Sequence, residues 1–175
     1  ADARYAALIT RSRQEAGYVE GKSAGTVEVS GHSLAIDGQL VARTTVGTRQ
    51  REVGDPATNR LAIPLGGELI VRDAGQHFVM ADRDRATEAE KQALFSQAQI
   101  AFVRGAATSA NGLQAGDTAG PRLELSQSLV DAGFSRFAVT SDGRIEVPAE
   151  VALSLGAGGS FKASGRQVVI AGDIR

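Results

Sequence analysis

The chain has 175 residues, a formal net charge of −1 and no cysteine, which excludes a disulfide scaffold and a thiolate metal centre and leaves no basic excess to suggest a nucleic-acid partner. No apolar run approaches the roughly 18 residues of a membrane-spanning helix, so no membrane insertion is expected. Two histidines and no tryptophan argue against a His-rich metal site or a base-stacking platform, whereas 21 glycines among short apolar alternations suit an all-β chain rich in turns.

Residues 1–23 read as a lead-in, in which "ARYAALITRSRQEA" is compatible with either a helix or an irregular segment. It closes with "GYVEGKSAG", whose Gly21-Lys22-Ser23 imitates a nucleotide-binding loop. That loop needs four residues between its glycines and opens a helix that faces the phosphates. Here only three residues separate Gly17 from Gly21, and "TVEVS" alternates Val27 and Val29 with polar residues, which predicts a strand. Gly21 and Gly25 are read as bracketing the start of that strand, with Lys22 and Ser23 on the surface.

"GHSLA", from Gly31 to Ala35, imitates a nucleophile elbow around Ser33, but Leu34 to Gly38 alternate like a strand instead of opening a helix. Residues 43–61 are polar, hold Gly54, Asp55 and Pro56, and predict a surface loop. In "QHFVMA", His77 is read as an outward strand residue, and neither it nor His32 has further ligands at zinc-site spacing. Asp82, Arg83, Asp84 and Arg85 gather charge before a predicted helix. They are a candidate surface for a cation or an anionic sugar, or simply acids that complement the helix dipole with arginines paired beside them. The helix is expected over residues 87–103: Thr87 and Glu90 form a capping box, and Leu94, Phe95, Ala98, Ala101 and Phe102 share one face. It is placed outside the sheet, followed by a flexible connection over residues 105–121.

An internal repeat sets the expected architecture. "AGTVEVSGHSLAIDGQLV", from Ala24, aligns without a gap to "GGSFKASGRQVVIAGDIR", from Gly158, with Gly25 over Gly159, Val27 over Phe161, Gly31 over Gly165 and Ile36 over Ile170. A looser copy, "GGELIVRDAGQHFVMAD", begins at Gly66. Three short strands per copy, turned at glycines where a Cβ obstructs positive φ, predict a right-handed parallel β-helix in which equivalent strands stack coil on coil. Phe137 with Phe161, and Ile145 with Val168, are each expected one coil apart. An antiparallel sandwich is the competing all-β arrangement. The predicted interior holds Val27, Val29, Leu34, Ile36, Leu40, Ile145, Val147, Val151, Leu153, Phe161, Val168, Ile170 and Ile174.

Asp142, Glu146 and Glu150 lie near successive strands, and paired carboxylates facing one groove are the equipment of glycoside hydrolysis. The competing reading makes Asp142-Gly143 a turn pair and Glu146 the outward residue between Ile145 and Val147.

Two stretches carry a family resemblance: "YVEGKSAGTVEVSGHSLAIDGQLVA", and "LSQSLVDAGFSRFAVTSDGRIEVPAEVALSLGAGGSFKASGRQVVIAGDI" with its Gly-Phe, its Asp-Gly turn and its closing Gly-Asp-Ile. They resemble segments of filamentous-haemagglutinin-like exoproteins of the bacterial two-partner secretion pathway. The resemblance implies a β-helical shaft, export through an outer-membrane transporter partner, and display or release outside the cell. It implies adhesion, with contact to extracellular polysaccharide or a host surface, rather than catalysis, and no cofactor. The lack of cysteine fits such export. Because Arg175 falls within an expected strand, the chain is expected to be a piece of something longer.

Overall fold

The computed structural model describes residues 16–31, 39–73, 98–107 and 123–175. In chain order these give β1 (Thr26–Gly31), β2 (Gly67–Asp73), β3 (Ala98–Val103), β4 (Leu123–Ser126), a single-turn α1 (Ser128–Asp131), β5 (Phe134–Val147), β6 (Ala152–Leu153), β7 (Ser160–Ile170) and β8 (Asp173–Ile174).

Every pairing among these strands is parallel, so the antiparallel sandwich is excluded. Six strands form one curled sheet, and β6 with β8 forms a second, two-stranded one. β5 and β7 are long because each runs along two walls, and the ladder between them shifts register from Ser141 to Arg144. The first half of β5 lies between β2 and β7, and its second half between β3 and β7. β4 is on the far side of β3. One wall therefore reads β1-β2-β5-β7 and the next reads β4-β3-β5-β7.

On the first wall the repeat holds residue by residue. Val27 pairs with Leu69, Leu69 with Phe137 and Phe137 with Phe161; Val29, Val71, Val139 and Ala163 form a second inward row. Gly31 and Gly165 end the same row, through Asp73 and Ser141. Ile145 is the direct neighbour of Val168, as their spacing predicted. The corresponding test on residues 32–38 lies outside the described residues.

Strand periodicity fills the core. Leu69, Val71, Ile100, Phe102, Ile145 and Val147 are fully buried, because alternate residues of each strand face the same side. Phe102 stands edge-on to Phe137, with ring centroids 5.8 Å apart and planes at 81°, and lies 5.5 Å from Phe161. Aromatic pairs favour such tilted geometries.

Of the predicted interior, Ile145, Val147, Val151 and Leu153 are buried, while Val27, Val29, Leu40, Phe161 and Ile174 pack partly buried against the core. Leu34 and Ile36 lie outside the described residues. Val168 and Ile170 correct the expectation: they are 37% and 50% exposed, although their ladder partners Ile145 and Val147 are fully buried. They sit on the right rows, but among the described residues β7 pairs only with β5.

The predicted helix over residues 87–103 is corrected at its C-terminal end. Ala98–Val103 is β3, the strand between β4 and β5, with Ile100 and Phe102 alternating into the core. Strands on both edges of this segment, and the continuous apolar run Ile100–Val103, outweigh the local helical pattern. Residues 87–97 lie outside the described residues, as do 108–122 of the predicted connection.

The expectation for the corner glycines also changes. Among the described residues positive φ belongs to Gly133, Gly156 and Gly158, not to Gly165. Space at Gly165 is tight instead: a Cβ there would come 3.1 Å from Gly143 O and 3.2 Å from Ser141 O, close enough that the neighbours would have to give by a few tenths of an ångström. At Gly133, φ is +102° and a Cβ would lie 2.6 Å from the Ala42 carbonyl. Both backbone geometry and close approach demand glycine at this turn into β5.

Candidate functional site

The Gly-Lys-Ser segment packs against the loop that follows β1, and a buried glutamine joins them. Gln50, 4% exposed, accepts from Gly21 N at 2.7 Å and Gly47 N at 2.8 Å through Oε1, and its Nε2 donates to Gly21 O at 2.9 Å. Gly21 is glycine because a Cβ would overlap the Thr45 carbonyl oxygen at 1.6 Å. Lys22 forms an ion pair with Glu20 at 2.9 Å, and its hydrogen bond and charge hold that carboxyl below its ordinary range. Ser23 Oγ accepts from Leu65 N at 3.0 Å. The amide, the ammonium and the hydroxyl that a phosphate loop would offer its ligand are each engaged within the chain, and a strand follows instead of a helix. Arg49 stacks over the Tyr18 ring at 4.1 Å beside this clamp.

Outward positions of the first wall carry linked polar rows. Thr26 Oγ1 donates to Glu68 Oε2 at 3.2 Å, Arg136 Nη1 lies 3.6 Å from the same oxygen, and Arg136 Nη2 donates to Gly66 O at 3.4 Å. Three neighbouring strands are tied by this one row. Arg72 pairs diagonally with Glu28 at 3.0 Å. At the wall's corner, the buried Ser141 donates to Asp73 Oδ2 at 2.9 Å and accepts from Gly143 N at 3.1 Å. Cross-strand pairs of this kind hold register.

Of the candidate carboxylates, Glu146 and Glu150 have described side chains. Glu146 lies on β5 between the buried Ile145 and Val147, facing outward as the alternation requires, and its Oε1 is 3.3 Å from Arg144 Nη2. Asp142 is at the bend of β5. Glu150 is exposed in the turn that follows the strand. Asp82, Arg83, Asp84 and Arg85, together with His32, Ser33 and His77, lie outside the described residues. Among the described residues no group of three His, Asp or Glu side chains is placed to hold a metal ion, and no helix is long and apolar enough to cross a membrane.

Two features escaped the sequence. The Gln50 clamp joins residues 29 positions apart, and a lone glutamine in a polar loop gives no sign of it. The strand character of β3 was available in the unbroken apolar run Ile100–Val103, against the helical spacing upstream of it.

Comparison with protein-family models, with curated proteins and with solved structures finds no significant match to this chain.

Proposed function

We propose that this chain is a structural and interaction segment of a secreted or surface-displayed bacterial adhesin of the filamentous-haemagglutinin-like kind. It is built as a right-handed parallel β-helical shaft and has no catalysis of its own. One observation carries the reading: three successive strand segments return to three successive walls within a single short period. Phe137 neighbours Phe161, Ile145 neighbours Val168 and Leu153 neighbours Ile174, at separations of 24, 23 and 21 residues. A chain that revisits each wall in this way is winding one coil upon another. The right hand follows from the strong preference of parallel crossovers.

The outward rows support an interaction role over a catalytic one. Glu28, Ile70, Ala138 and Lys162 share one outward row, so the outward surface passes from acidic through apolar to basic while the facing inward rows stay apolar. Surfaces of this type bind through many weak contacts whose strength comes from repetition on a long molecule. Export through an outer-membrane transporter, an extracellular location and contact with polysaccharide or a host surface belong to the same proposal.

A glycan-array screen and a polysaccharide depolymerisation assay on the same purified chain test it. The expected result is weak or absent glycan binding and no cleavage, and Glu146→Gln with Glu150→Gln should leave adhesion by the whole protein intact. Cleavage that this double substitution abolishes without unfolding the chain would replace the adhesin by a β-helical glycan-degrading enzyme working through Asp142, Glu146 and Glu150.

A further inference from the structure

We propose that the two segments joined by Gln50 form a surface that rests on an anionic lipid bilayer, with arginines on the lipid phosphates and single aliphatic side chains among the acyl chains beneath them. The inference stands apart from the adhesive reading and holds or fails without it. Among the described residues eight large apolar side chains are exposed, and six of them fall between Tyr18 and Leu61. Val53, at 78%, and Val19, at 70%, are the most exposed of all.

Positive charge gathers in the same place. Residues 16–23 and 39–65 carry Lys22, Arg43, Arg49, Arg51 and Arg60, all exposed, against the acids Glu20, Glu52 and Asp55. The remaining described residues hold more acids than bases. Each exposed aliphatic residue of the loop has an arginine within three positions: Val41 with Arg43, Val46 with Arg49, Val53 with Arg51 and Leu61 with Arg60. An apolar tip beside a guanidinium suits the boundary between headgroups and acyl chains, where apolar burial and attraction to anionic lipid add.

The backbone holds these tips in place. Gln50 joins Gly21 to Gly47, and the Val19 carbonyl closes on Gly47 so nearly that a Cβ there would overlap it. Tyr18 and Val19 are thereby set beside Val46 and Arg49. Farther along, Glu52 N donates to Leu61 O at 3.0 Å and Glu52 O accepts from Ile63 N at 2.9 Å, which keeps Val53 near Leu61.

The same features weigh against other partners. An acidic polysaccharide would use the arginines and leave the aliphatic tips idle, and Arg49 already lies over the Tyr18 ring at 4.1 Å, where a sugar would stack. A protein partner concentrates its anchors in one buried centre, whereas these tips are single residues spread along two segments. A fluid surface moulds around separate points.

Flotation of the purified chain with lipid vesicles tests this. The chain should rise with vesicles of phosphatidylglycerol and phosphatidylcholine in equal parts, stay behind with phosphatidylcholine alone, and detach as salt is raised. Arg43→Gln and Arg60→Gln should each weaken binding about fivefold. Val53→Ser changes no charge and should also weaken it about fivefold, while leaving any binding to dextran sulfate, a polyanion without an acyl layer, as it was. The urea midpoint of each variant establishes that it is folded. A chain that floats with neither kind of vesicle, or equally with both, overturns the proposal. Vesicle binding that Val53→Ser leaves unchanged overturns it too, and makes the surface a site for polyanions such as acidic polysaccharide.

Discussion

β5 and β7 carry the same inward pattern at matched register, and the chain treats them differently. Phe137 and Val139 are 1% exposed and Ile145 and Val147 are fully buried, whereas Val168 and Ile170 remain 37% and 50% exposed. Chemistry does not separate the two strands; the number of neighbours does. β5 has β2 and β3 along one edge and β7 along the other, while among the described residues β7 has β5 alone. Burial here follows the number of strands packed alongside, and an apolar residue with one neighbouring strand among the described residues contributes less until something covers it.

The largest test of this contrast is Phe137→Ala, which removes a ring packed against Phe102 in the closed part of the core. It should cost about 3–5 kcal/mol by urea unfolding, and Phe161→Ala on the outer strand about half as much. Equal losses would mean that β7 is as well covered as β5. Next comes Ile145→Ala, expected to cost about 3 kcal/mol, against about 1 kcal/mol for Ile170→Ala at its half-exposed site.

Away from the sheet, Gln50→Ala strips partners from Gly21 N–H and Gly47 N–H together and should cost about 2 kcal/mol. A change below about 0.5 kcal/mol would show that water replaces the amide and that the clamp is incidental. The smallest effect belongs to Arg72→Gln. It breaks an exposed pair with Glu28, so unfolding should shift by less than about 1 kcal/mol. A larger shift would reveal a coupled charge row instead of an isolated contact.

The row from Val27 through Leu69 and Phe137 to Phe161 was legible because a strand's two-residue period and a repeat's fixed offset both survive in the sequence. The outward placement of Glu146 was legible for the same reason. Neither signal reports how many neighbours a strand finds, so Val168 and Ile170 were read as interior. β3 was misread because Ala98, Ala101 and Phe102 continue a helical spacing set by Leu94 and Phe95. The deciding influence, strands on both sides, comes from segments distant in sequence. The candidate contact surface at Asp82 to Arg85 had charge as its only signal, and charge marks solvent exposure as readily as recognition.

The unequal sequence distances across the ladder also set an order of assembly. Phe137 and Phe161 are 24 residues apart, whereas the hydrogen bond from Ser141 to Asp73 spans 68. Closing the longer loop costs about 0.9 kcal/mol more in chain entropy, before any irregular structure within it is fixed. The pairings of β5 with β7 and of β6 with β8 are all made within residues 134–174, so this segment reaches apolar contacts with little search. Residues 134–174, about a quarter of the chain, are therefore the expected folding nucleus, on which β2, β3 and finally β1 condense. Its slow step is the capture of distant strands, as expected for parallel sheets with long connections.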